Sequence, residues 1–525
     1  MNHASKPKAN SSNGIKFLET INIQINKLRL ARFQTSLFIR DLFETAVVSV
    51  VTIFCLIMVT KLLAEGLGAE RFGAYVLSRR VLSMIDPLVT LAMGVAVTRC
   101  IAMSRDEGTQ TTYLGAGLLL GVLPAFLVLV VGWSLATPFA QLLFRDGIKY
   151  HALFIATLCL IVGYSFYVIL YAYYRGIGKM WQANLWQASV IAIGPLVIAW
   201  LFARSGSVEL IVFLMAGLLL CSMVPLVKLM LQARVFREKR AIFLIKIKDL
   251  GRYGLPRVPG SFAFGGLLAV GPLLAPYIGS LRDAGYLVAS QSILRVVEGG
   301  TEAFGRAAFP WVTQVFSKGG KEALKDRVAD LMSFILYVGL YGTIHLLIWS
   351  KPLTLTWLGR EYIDAVLPVR VTLIALLPYL AFVTLRTIVD AVEVRAITTV
   401  SLFISLGVTV VVSLILSWSG LGSIGLAMGT TVGLIVLGSL VSAYVWKEFA
   451  IDRDDIFIWR CVITNAVFAV IGLILTFWLN RFYQGGALLG AGFIMEGSLF
   501  CFYLVSLRYL GVRWVMVLKR KMIGN

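Results

Sequence analysis

The sequence predicts an all-α membrane protein of about fourteen transmembrane helices, arranged as two pseudo-repeated six-helix lobes followed by two C-terminal helices. The first observation is the composition, because 59% of the 525 residues are hydrophobic and only 14% are charged. Soluble proteins have about 45–50% apolar and about 25% charged residues. The other two observations are a series of long apolar segments and a short internal repeat. The composition excludes a disordered, collagen-like or soluble multidomain chain.

Fourteen segments are apolar over the length that a bilayer-crossing helix needs, which is about 20 residues. Spans 2, 8 and 10 contain several charged residues and have the weakest hydropathy. In chain order the predicted spans are 41–63, 74–101, 112–136, 151–174, 182–203, 208–231, 260–280, 284–310, 328–350, 365–394, 397–418, 422–446, 461–480 and 487–510.

Lysine and arginine residues are distributed unevenly between the two sides of these spans. With a cytoplasmic amino terminus, 31 of the 48 lie in or beside cytoplasmic segments, 10 in or beside external segments and 7 within spans. Cytoplasmic loops carry an excess of Lys and Arg. We therefore predict a multi-pass protein of the cell (inner or plasma) membrane with both termini in the cytoplasm. The same bias accounts for the net charge of +21 without a nucleic-acid partner.

A short repeat relates the start of span 2 to the start of span 8. AERFGAYVL at Ala69–Leu77 resembles LRDAGYLVA at Leu281–Ala289, and aligning Tyr75 with Tyr286 gives an offset of 211 residues. An even number of spans per repeat gives two lobes of the same orientation, related by an axis along the membrane normal. The predicted organisation is a basic cytoplasmic tail at 1–40, a first six-helix lobe at 41–231, a basic cytoplasmic linker at 232–259, a second six-helix lobe at 260–446, two further helices within 461–510 and a basic cytoplasmic tail at 511–525.

Charged and polar residues inside three spans follow helical spacing, so that each set falls on one helical face, with Arg80 lying beside the face of its set. Ionised side chains are costly in hydrocarbon and usually face a water-filled cavity or one another. The sets are Arg79, Arg80, Ser83, Asp86 and Thr90 in span 2, Arg295, Glu298, Glu302 and Arg306 in span 8, and Arg386, Asp390 and Glu393 in span 10.

We interpret these stripes as the lining of a polar cavity between the lobes. An alternative stays open, since Glu302 with Arg306 and Arg386 with Asp390 have the i,i+4 spacing of a simple ion pair. Pro87 and Pro378 are predicted to bend spans 2 and 10, because proline removes a helical hydrogen bond. The candidate substrate-binding residues are Arg79, Arg80, Asp86, Arg295, Glu298, Glu302, Arg306, Arg386 and Asp390.

The sequence contains no residue pattern typical of a metal site, a cofactor site or an enzyme. The two closest of the six cysteines are 40 residues apart, and the three histidines are isolated. No P-loop is present, and the GxGxxG at Gly420, Gly422 and Gly425 lacks the preceding strand of a dinucleotide site. We therefore predict no cofactor, no metal, no catalytic residue and no enzymatic activity. The overlapping GxxxG steps from Gly425 to Gly433 predict close helix packing.

Two segments resemble the polysaccharide flippases, of the O-antigen and exopolysaccharide type, in the multidrug/oligosaccharidyl-lipid/polysaccharide exporter superfamily. LLAEGLGAERFGAYVLSRRVLSMIDPLVTLAMGVAVTRCIA at 62–102 looks like that family's first loop and second helix. DAGYLVASQSILRV at 283–296 looks like the counterpart in the second lobe. The resemblance implies a V-shaped bundle that opens alternately to each side. It also implies a basic central cavity, to which Arg79, Arg80 and Arg295 correspond by position.

The function that the resemblance implies is translocation of a polyprenyl-pyrophosphate-linked oligosaccharide from the cytoplasmic to the outer face, for cell-surface polysaccharide synthesis. Its expected partners are this lipid-linked glycan, the lipid bilayer, a coupling ion (a proton or sodium) and other membrane proteins of polysaccharide assembly. The alternatives are a cation-coupled multidrug antiporter of the same superfamily and a flippase for the peptidoglycan lipid precursor. The acidic neighbour Asp86 distinguishes this cavity from a purely cationic one.

Overall fold

A computed structural model of the chain describes residues 11–104, 106–232, 240–296, 312, 316, 320–393, 396–452, 458–483 and 485–512. All of the regular structure in these residues is helical. The α-helices are α1 (Ser11–Thr90), α2 (Met93–Ala102), α3 (Glu107–Ser134), α4 (Ala136–Phe144), α5 (His151–Gly176), α6 (Met180–Gln187), α7 (Gly194–Phe202), α8 (Val208–Leu220), α9 (Met223–Gln232), α10 (Arg240–Gly254), α11 (Val258–Ile278), α12 (281–296), α13 (Glu322–Leu358), α14 (Val366–Leu373), α15 (Leu376–Val392), α16 (Ile397–Leu416), α17 (Gly422–Glu448), α18 (Ile458–Phe482) and α19 (Gly485–Tyr509).

Within the described residues, ten helices are long and apolar enough to cross a membrane, or eleven when one bent pair is counted as a span. The chain is therefore a multi-pass membrane protein, but the predicted count of fourteen is not confirmed. Two of the ten, Glu44–Thr90 and Ile397–Glu448, each contain two predicted spans. Span 8 falls partly on α12, and its continuation lies outside the described residues.

The first of these long helices turns back at a glycine. Gly68 has φ 73° and ψ 168°, which interrupts the helical geometry of α1 between predicted spans 1 and 2. A positive φ is adopted at little steric cost only by glycine. The residues before and after Gly68 therefore form two arms, which place spans 1 and 2 side by side.

Span 10 is bent, as its proline predicts. The helical segments Arg360–Leu373 and Leu376–Asp390 meet at an angle of 52°. Pro378 lies just after this break, and it has no N–H to bond the carbonyl of Ile374. Span 2 is interrupted as well, at Leu91 and Ala92, which have φ values of 50° and 55°. This break follows Pro87 by four residues.

The buried apolar residues that the structure describes form two large clusters and three smaller ones. The first cluster unites α1 to α5 and α8 with the start of α12 and with residues 358–365. The second unites α11 with α13, α15 and α17. In the third, α18 and α19 pack against α13 through Tyr337, Tyr341 and Tyr503. These clusters are compatible with two lobes and an added helix pair, whose exact boundaries stay a prediction.

The glycine repeat of α17 packs closely against α16, which confirms the packing prediction. A Cβ atom on Gly429 would lie 2.6 Å from the backbone nitrogen of Ser413, and one on Gly425 would lie 2.7 Å from that of Ser417. The two helices are thus in contact along their length, and Gly420 and Gly422 form the turn between them. The GxGxxG motif belongs to this turn and not to a phosphate-binding strand–helix unit.

The basic linker forms a helix that packs against the first cluster. Most of it is α10, which continues through a 3₁₀ turn (Leu255–Arg257) into α11. Leu250 is fully buried, and the Tyr113 hydroxyl donates a hydrogen bond of 3.0 Å to the Asp249 carboxylate. The linker therefore has a fixed position beside α2 and α3.

Candidate functional site

A cavity of about 330 Å³ lies at the edge of the first cluster. The two arms of α1, together with α12, form most of its wall, with one residue each from α5 and α13. Its lining comprises Ile53, Leu56, Ile57, Val59, Thr60, Tyr75, Val76, Arg79, Arg80, Leu82, Ser83, Asp86, Tyr164, Val288, Ser292, Arg295, Val296 and Trp357. The polar residues come mainly from predicted spans 2 and 8, and the first arm of α1 supplies an apolar side.

Four of the nine candidate residues line this cavity. Arg79, Arg80 and Asp86 come from α1, and Arg295 comes from α12. Three guanidinium groups and one carboxylate give the lining a formal charge of +2. The spacing of Arg79, Ser83 and Asp86 on one helical face explains why all three reach the same space. The cavity can therefore attract an anionic group inside an apolar bundle.

The deepest of the three arginines joins the two halves of the wall. Arg80 is 2% exposed, and one of its terminal nitrogens (Nη2) donates a hydrogen bond to the Gln291 side-chain oxygen of α12. A buried charge needs hydrogen-bonding partners to offset its lost hydration. The bond holds the guanidinium of Arg80 between α1 and α12, where Arg79 and Arg295 also line the cavity.

Asp86 is the only acid among the described lining residues. Its Oδ1 atom is buried and has no hydrogen-bond partner among the described residues. The backbone carbonyl of Asp86 accepts a hydrogen bond of 2.8 Å from the Thr90 hydroxyl. A buried carboxylate oxygen without such a partner is a position where a proton or a cation can bind.

Contacts within the first cluster join α1 to α12 and to residues 357–362 at the end of the molecule that carries the turn at Gly68. Tyr362 donates a hydrogen bond of 3.3 Å to the Ala64 carbonyl, and Trp357 donates one of 3.1 Å to the Ile57 carbonyl. Gly73 touches the backbone of Leu281 so closely that a Cβ atom would overlap its carbonyl group. The cavity is therefore closed at this end, which the charge bias predicts to be the external one.

Of the five remaining candidates, two are described by the structure and lie outside the cavity. Arg386 and Asp390 form an i,i+4 ion pair of 3.4 Å on α15, and neither lines the cavity. Asp390 also accepts a hydrogen bond of 2.8 Å from Thr398. This geometry corresponds to the ion-pair alternative for span 10. Glu298, Glu302 and Arg306 lie outside the described residues, so their placement in the cavity stays a prediction.

Sequence reasoning missed two polar features. Gln291 is neutral, so a search for charged stripes passes over it, although the repeat offset of 211 relates it to Arg80. Glu496 is a single acid in predicted span 14 and belongs to no stripe. It lies away from the cavity, where Trp349 donates a hydrogen bond of 2.7 Å to one of its oxygens. The sequence signal that could have identified Glu496 is a single charged residue within an apolar span.

The fold is shared with known transporters. The chain is similar to the lipid II flippase MurJ in an inward closed conformation, with a TM-score of 0.67 and 14% identity over 93% of this chain and 100% of MurJ. It is similar to an inward-facing multidrug resistance MATE family transporter of the MOP superfamily, with a TM-score of 0.61 and 15% identity over 77% of this chain and 98% of the other.

A point mutant of the Vibrio cholerae MATE transporter VcmN gives a TM-score of 0.54 at 15% identity, over 80% of this chain and 99% of the transporter. No family model and no curated protein matches the sequence. These structural likenesses show that the chain has the MATE-like fold. The alignment with MurJ also shows that this fold extends over nearly the whole chain.

Proposed function

We propose that this protein is a flippase that moves a polyprenyl-pyrophosphate-linked oligosaccharide from the cytoplasmic to the outer face of the cell membrane by alternating access. The observation that carries the proposal is the convergence of Arg79, Arg80 and Arg295 on one cavity between α1 and α12. The resemblance of 62–102 and 283–296 to polysaccharide flippases supports the same substrate class. The protein acts as a transporter and not as an enzyme.

The chemistry of the cavity fits a pyrophosphate headgroup. Pyrophosphate and sugar hydroxyls lose their water partners in hydrocarbon, which prevents unassisted crossing. Guanidinium groups form charge-assisted and often bidentate hydrogen bonds with phosphate oxygens. Arg79 of α1 and Arg295 of α12 both line the cavity and can bind the two phosphates, while Arg80 stays bound to Gln291.

The apolar side of the cavity fits the lipid chain of such a substrate. Ile53, Leu56 and Ile57 of α1 and Val296 of α12 line the same cavity as the arginines. Phe54, on the same arm of α1, is 60% exposed on the outside of the bundle. A chain that leaves the cavity between α1 and α12 stays in contact with apolar side chains and enters the bilayer.

The closed end of the cavity gives the proposal its direction. With both termini in the cytoplasm, the contacts at Gly73, Trp357 and Tyr362 seal the external side. The headgroup would enter from the cytoplasm, and separation of these contacts would release it outside. This is the rocking motion of two repeats around one central site.

Two other substrates were predicted as alternatives. A cationic drug is disfavoured by the charge of +2 on the described lining, since like charges repel. A peptidoglycan lipid precursor is the stronger second candidate, because the fold of the lipid II flippase MurJ covers 93% of this chain. The same arginines would serve either lipid-linked substrate, because both substrates contain a pyrophosphate.

The test is depletion of the protein in its native host, followed by localisation of the lipid-linked glycan with a glycan-modifying enzyme that cannot cross the membrane. We expect the glycan to accumulate on the cytoplasmic face and to be cleared by the wild-type gene but not by Arg295→Ala. Arg370→Ala is the matched control, because Arg370 lies on α14 outside the cavity and donates a hydrogen bond of 2.9 Å to Ser350.

Each outcome of this test discriminates between the candidate substrates. Accumulation of a surface-polysaccharide precursor supports the proposal, and accumulation of the peptidoglycan precursor assigns the second candidate. No accumulation of either, with increased sensitivity to cationic drugs, would assign an efflux antiporter. Normal glycan export by Arg295→Ala at wild-type expression would show that transport does not require Arg295.

A further inference from the structure

We propose that α10 is a binding surface for anionic phospholipid headgroups of the membrane leaflet on its side. One face of α10 packs against the first cluster, as the buried Leu250 and the bond from Tyr113 to Asp249 show. The opposite face carries large apolar residues together with exposed basic ones. Its chemistry fits the boundary between lipid headgroups and hydrocarbon.

The orientation of α10 is fixed by aromatic and basic side chains. The guanidinium carbons of Arg99 and Arg257 lie 4.2 Å and 3.8 Å from the centre of the Tyr253 ring. Lys246 lies 4.6 Å from the centre of the Tyr113 ring. Such cation–π contacts are attractive within about 6 Å of the ring centre. The exposed face of α10 is therefore held in one direction relative to α2 and α3.

Apolar side chains are prominent on this exposed face. Ile242, Leu244, Ile245 and Leu255 are 43%, 53%, 57% and 51% exposed. Contact with water alone would leave a large apolar area unburied. An amphipathic helix with such a face lies in the membrane interface, with its apolar side chains at the acyl boundary.

Basic residues lie between these apolar ones. Lys248 and Arg252 are exposed and are four residues apart, so they lie on the same helical face as Ile245 and Leu255. No ion pair to either of them occurs within the described part of the chain. Residues 241–257 contain four basic side chains and one acidic one, which gives a formal charge of +3. The charge is complementary to phosphatidylglycerol and similar lipids, and a lysine or arginine near an anionic surface contributes about 1 kcal/mol.

Because of its location, lipid binding at α10 affects the connection between the two clusters. Through the turn Leu255–Arg257, α10 continues directly into α11, which packs against both α1 and α16. A lipid bound at Lys248 and Arg252 therefore holds the connection between the two clusters at the membrane surface. This proposal concerns lipid binding and does not depend on the transported substrate.

The test is native mass spectrometry of the full-length protein from mixed micelles that contain equal amounts of phosphatidylglycerol and phosphatidylcholine. We expect the wild type to retain phosphatidylglycerol in preference. Lys248→Gln with Arg252→Gln should lower this preference by about 30-fold, the factor that two charges of about 1 kcal/mol each represent. Arg204→Gln with Arg360→Gln is the control, because it removes two exposed arginines at the opposite end of the bundle.

The proposal is overturned if the α10 double variant retains phosphatidylglycerol as the wild type does. It is also overturned if the control variant loses phosphatidylglycerol as strongly as the α10 double variant. Displacement of phosphatidylglycerol by inorganic phosphate would assign a site for small anions in place of a lipid surface.

Ile245→Ser with Leu255→Ser should reduce retention of both lipids alike. The melting temperature and elution volume of this variant would show that the fold persists.

Discussion

Arg80 of α1 and Gln291 of α12 are bonded to each other, and they occupy equivalent positions of the predicted internal repeat. The separation of 211 residues between them is the same as the offset that aligns Tyr75 with Tyr286. Equivalent residues of two related lobes can touch only near the axis that relates the lobes. In the predicted two-lobe organisation, the bond therefore lies near this axis, and the cavity lies beside it.

The bond between Arg80 and Gln291 should show energetic coupling in a double-mutant cycle. A hydrogen bond to a charged group contributes roughly 1.5–3 kcal/mol. We expect Arg80→Ala to reduce both stability and glycan export strongly, and Gln291→Ala to reduce stability less. The double variant should be less destabilised than the sum of the two, by about 1–2 kcal/mol. Thermal unfolding in detergent measures the cycle, and Arg80→Ala with the distant Asn465→Ala, which should be additive, is its control.

The close approach of Gly73 to Leu281 should be needed for closure of the cavity. A Cβ atom at Gly73 would overlap the Leu281 carbonyl group, so Gly73→Val should separate the two backbones. We expect the external loops of this variant to be labelled faster by a membrane-impermeant thiol reagent at a cysteine introduced at Glu361. Gly342→Val is the control, because a Cβ atom at Gly342 meets no atom within 4 Å. Equal labelling of the two variants would contradict this prediction.

The sequence was sufficient to predict the charged wall of the cavity. Arg79 and Asp86 follow helical spacing in an apolar span, and burial of such charges is costly unless they face water or a partner. The spacing therefore indicated that the side chains of Arg79 and Asp86 lie on the same side of the helix. Arg295 was predicted by the same reasoning applied to the second repeat. The bend of span 10 was predicted from Pro378, because the loss of a helical hydrogen bond is a local property.

Spacing alone did not determine which stripes face the cavity. Arg386 and Asp390 have the spacing of a cavity stripe, but the same spacing lets them pair on the surface of α15. The direction of a helical face depends on how neighbouring helices pack, and that is a tertiary property. The number of spans was also difficult to predict, because spans 1 and 2 are separated only by the turn at Gly68 and span 10 is divided by a bend of 52°.

Asp86 should couple transport to an ion gradient. Its Oδ1 atom is buried without a hydrogen-bond partner in the described structure, and the three arginines of the lining lie around the same space. Asp86→Asn keeps the size of the side chain but removes its negative charge. We expect the variant to move substrate in proteoliposomes without responding to an imposed proton or sodium gradient. A gradient response equal to that of the wild type would exclude Asp86 as the coupling group.

Lys321 should stabilise the contact between the start of α13, the end of α15 and α17, and this stabilisation should be lost only at high pH. It forms a hydrogen bond with Glu448 of α17, and its ammonium lies 3.3 Å from Glu393, after the end of α15. The hydrogen bond to Glu448 is the main cause that raises the pKa of Lys321 above its usual value of 10.5.

A raised pKa means that the stabilisation is complete below the usual pKa and is lost as the pH rises through the folded value. We therefore expect Lys321→Met to lower the melting temperature at neutral pH. The difference from the wild type should shrink well above pH 10.5, where the wild-type lysine loses its proton. A difference that stays constant over this range would mean that the charge of Lys321 has no part in the contact.

Glu496 should hold the last two helices against α13. Its carboxylate accepts hydrogen bonds of 2.7 Å from Trp349 and 3.4 Å from Tyr341, and His345 Nδ1 lies 2.9 Å from Oε2. The His345 ring stacks on Tyr341 with a centroid distance of 4.0 Å, and Gly472 leaves room for it. Loss of the carboxylate leaves the tryptophan N–H and the histidine without a partner in an apolar environment.

An unsatisfied buried donor costs roughly 1–3 kcal/mol, whereas polar contacts between membrane helices average about 0.6 kcal/mol. We expect Glu496→Leu to lower the free energy of unfolding by an amount within these limits, and Glu496→Gln, which can still accept from Trp349, to lower it less. Trp349→Phe in the Glu496→Leu background should then recover part of the loss, because it removes the orphaned donor. Unfolding in detergent measures all three, with Ser498→Ala on the same helix as the control. If Glu496→Leu unfolds like the wild type, the carboxylate contributes nothing to the packing of α19 against α13.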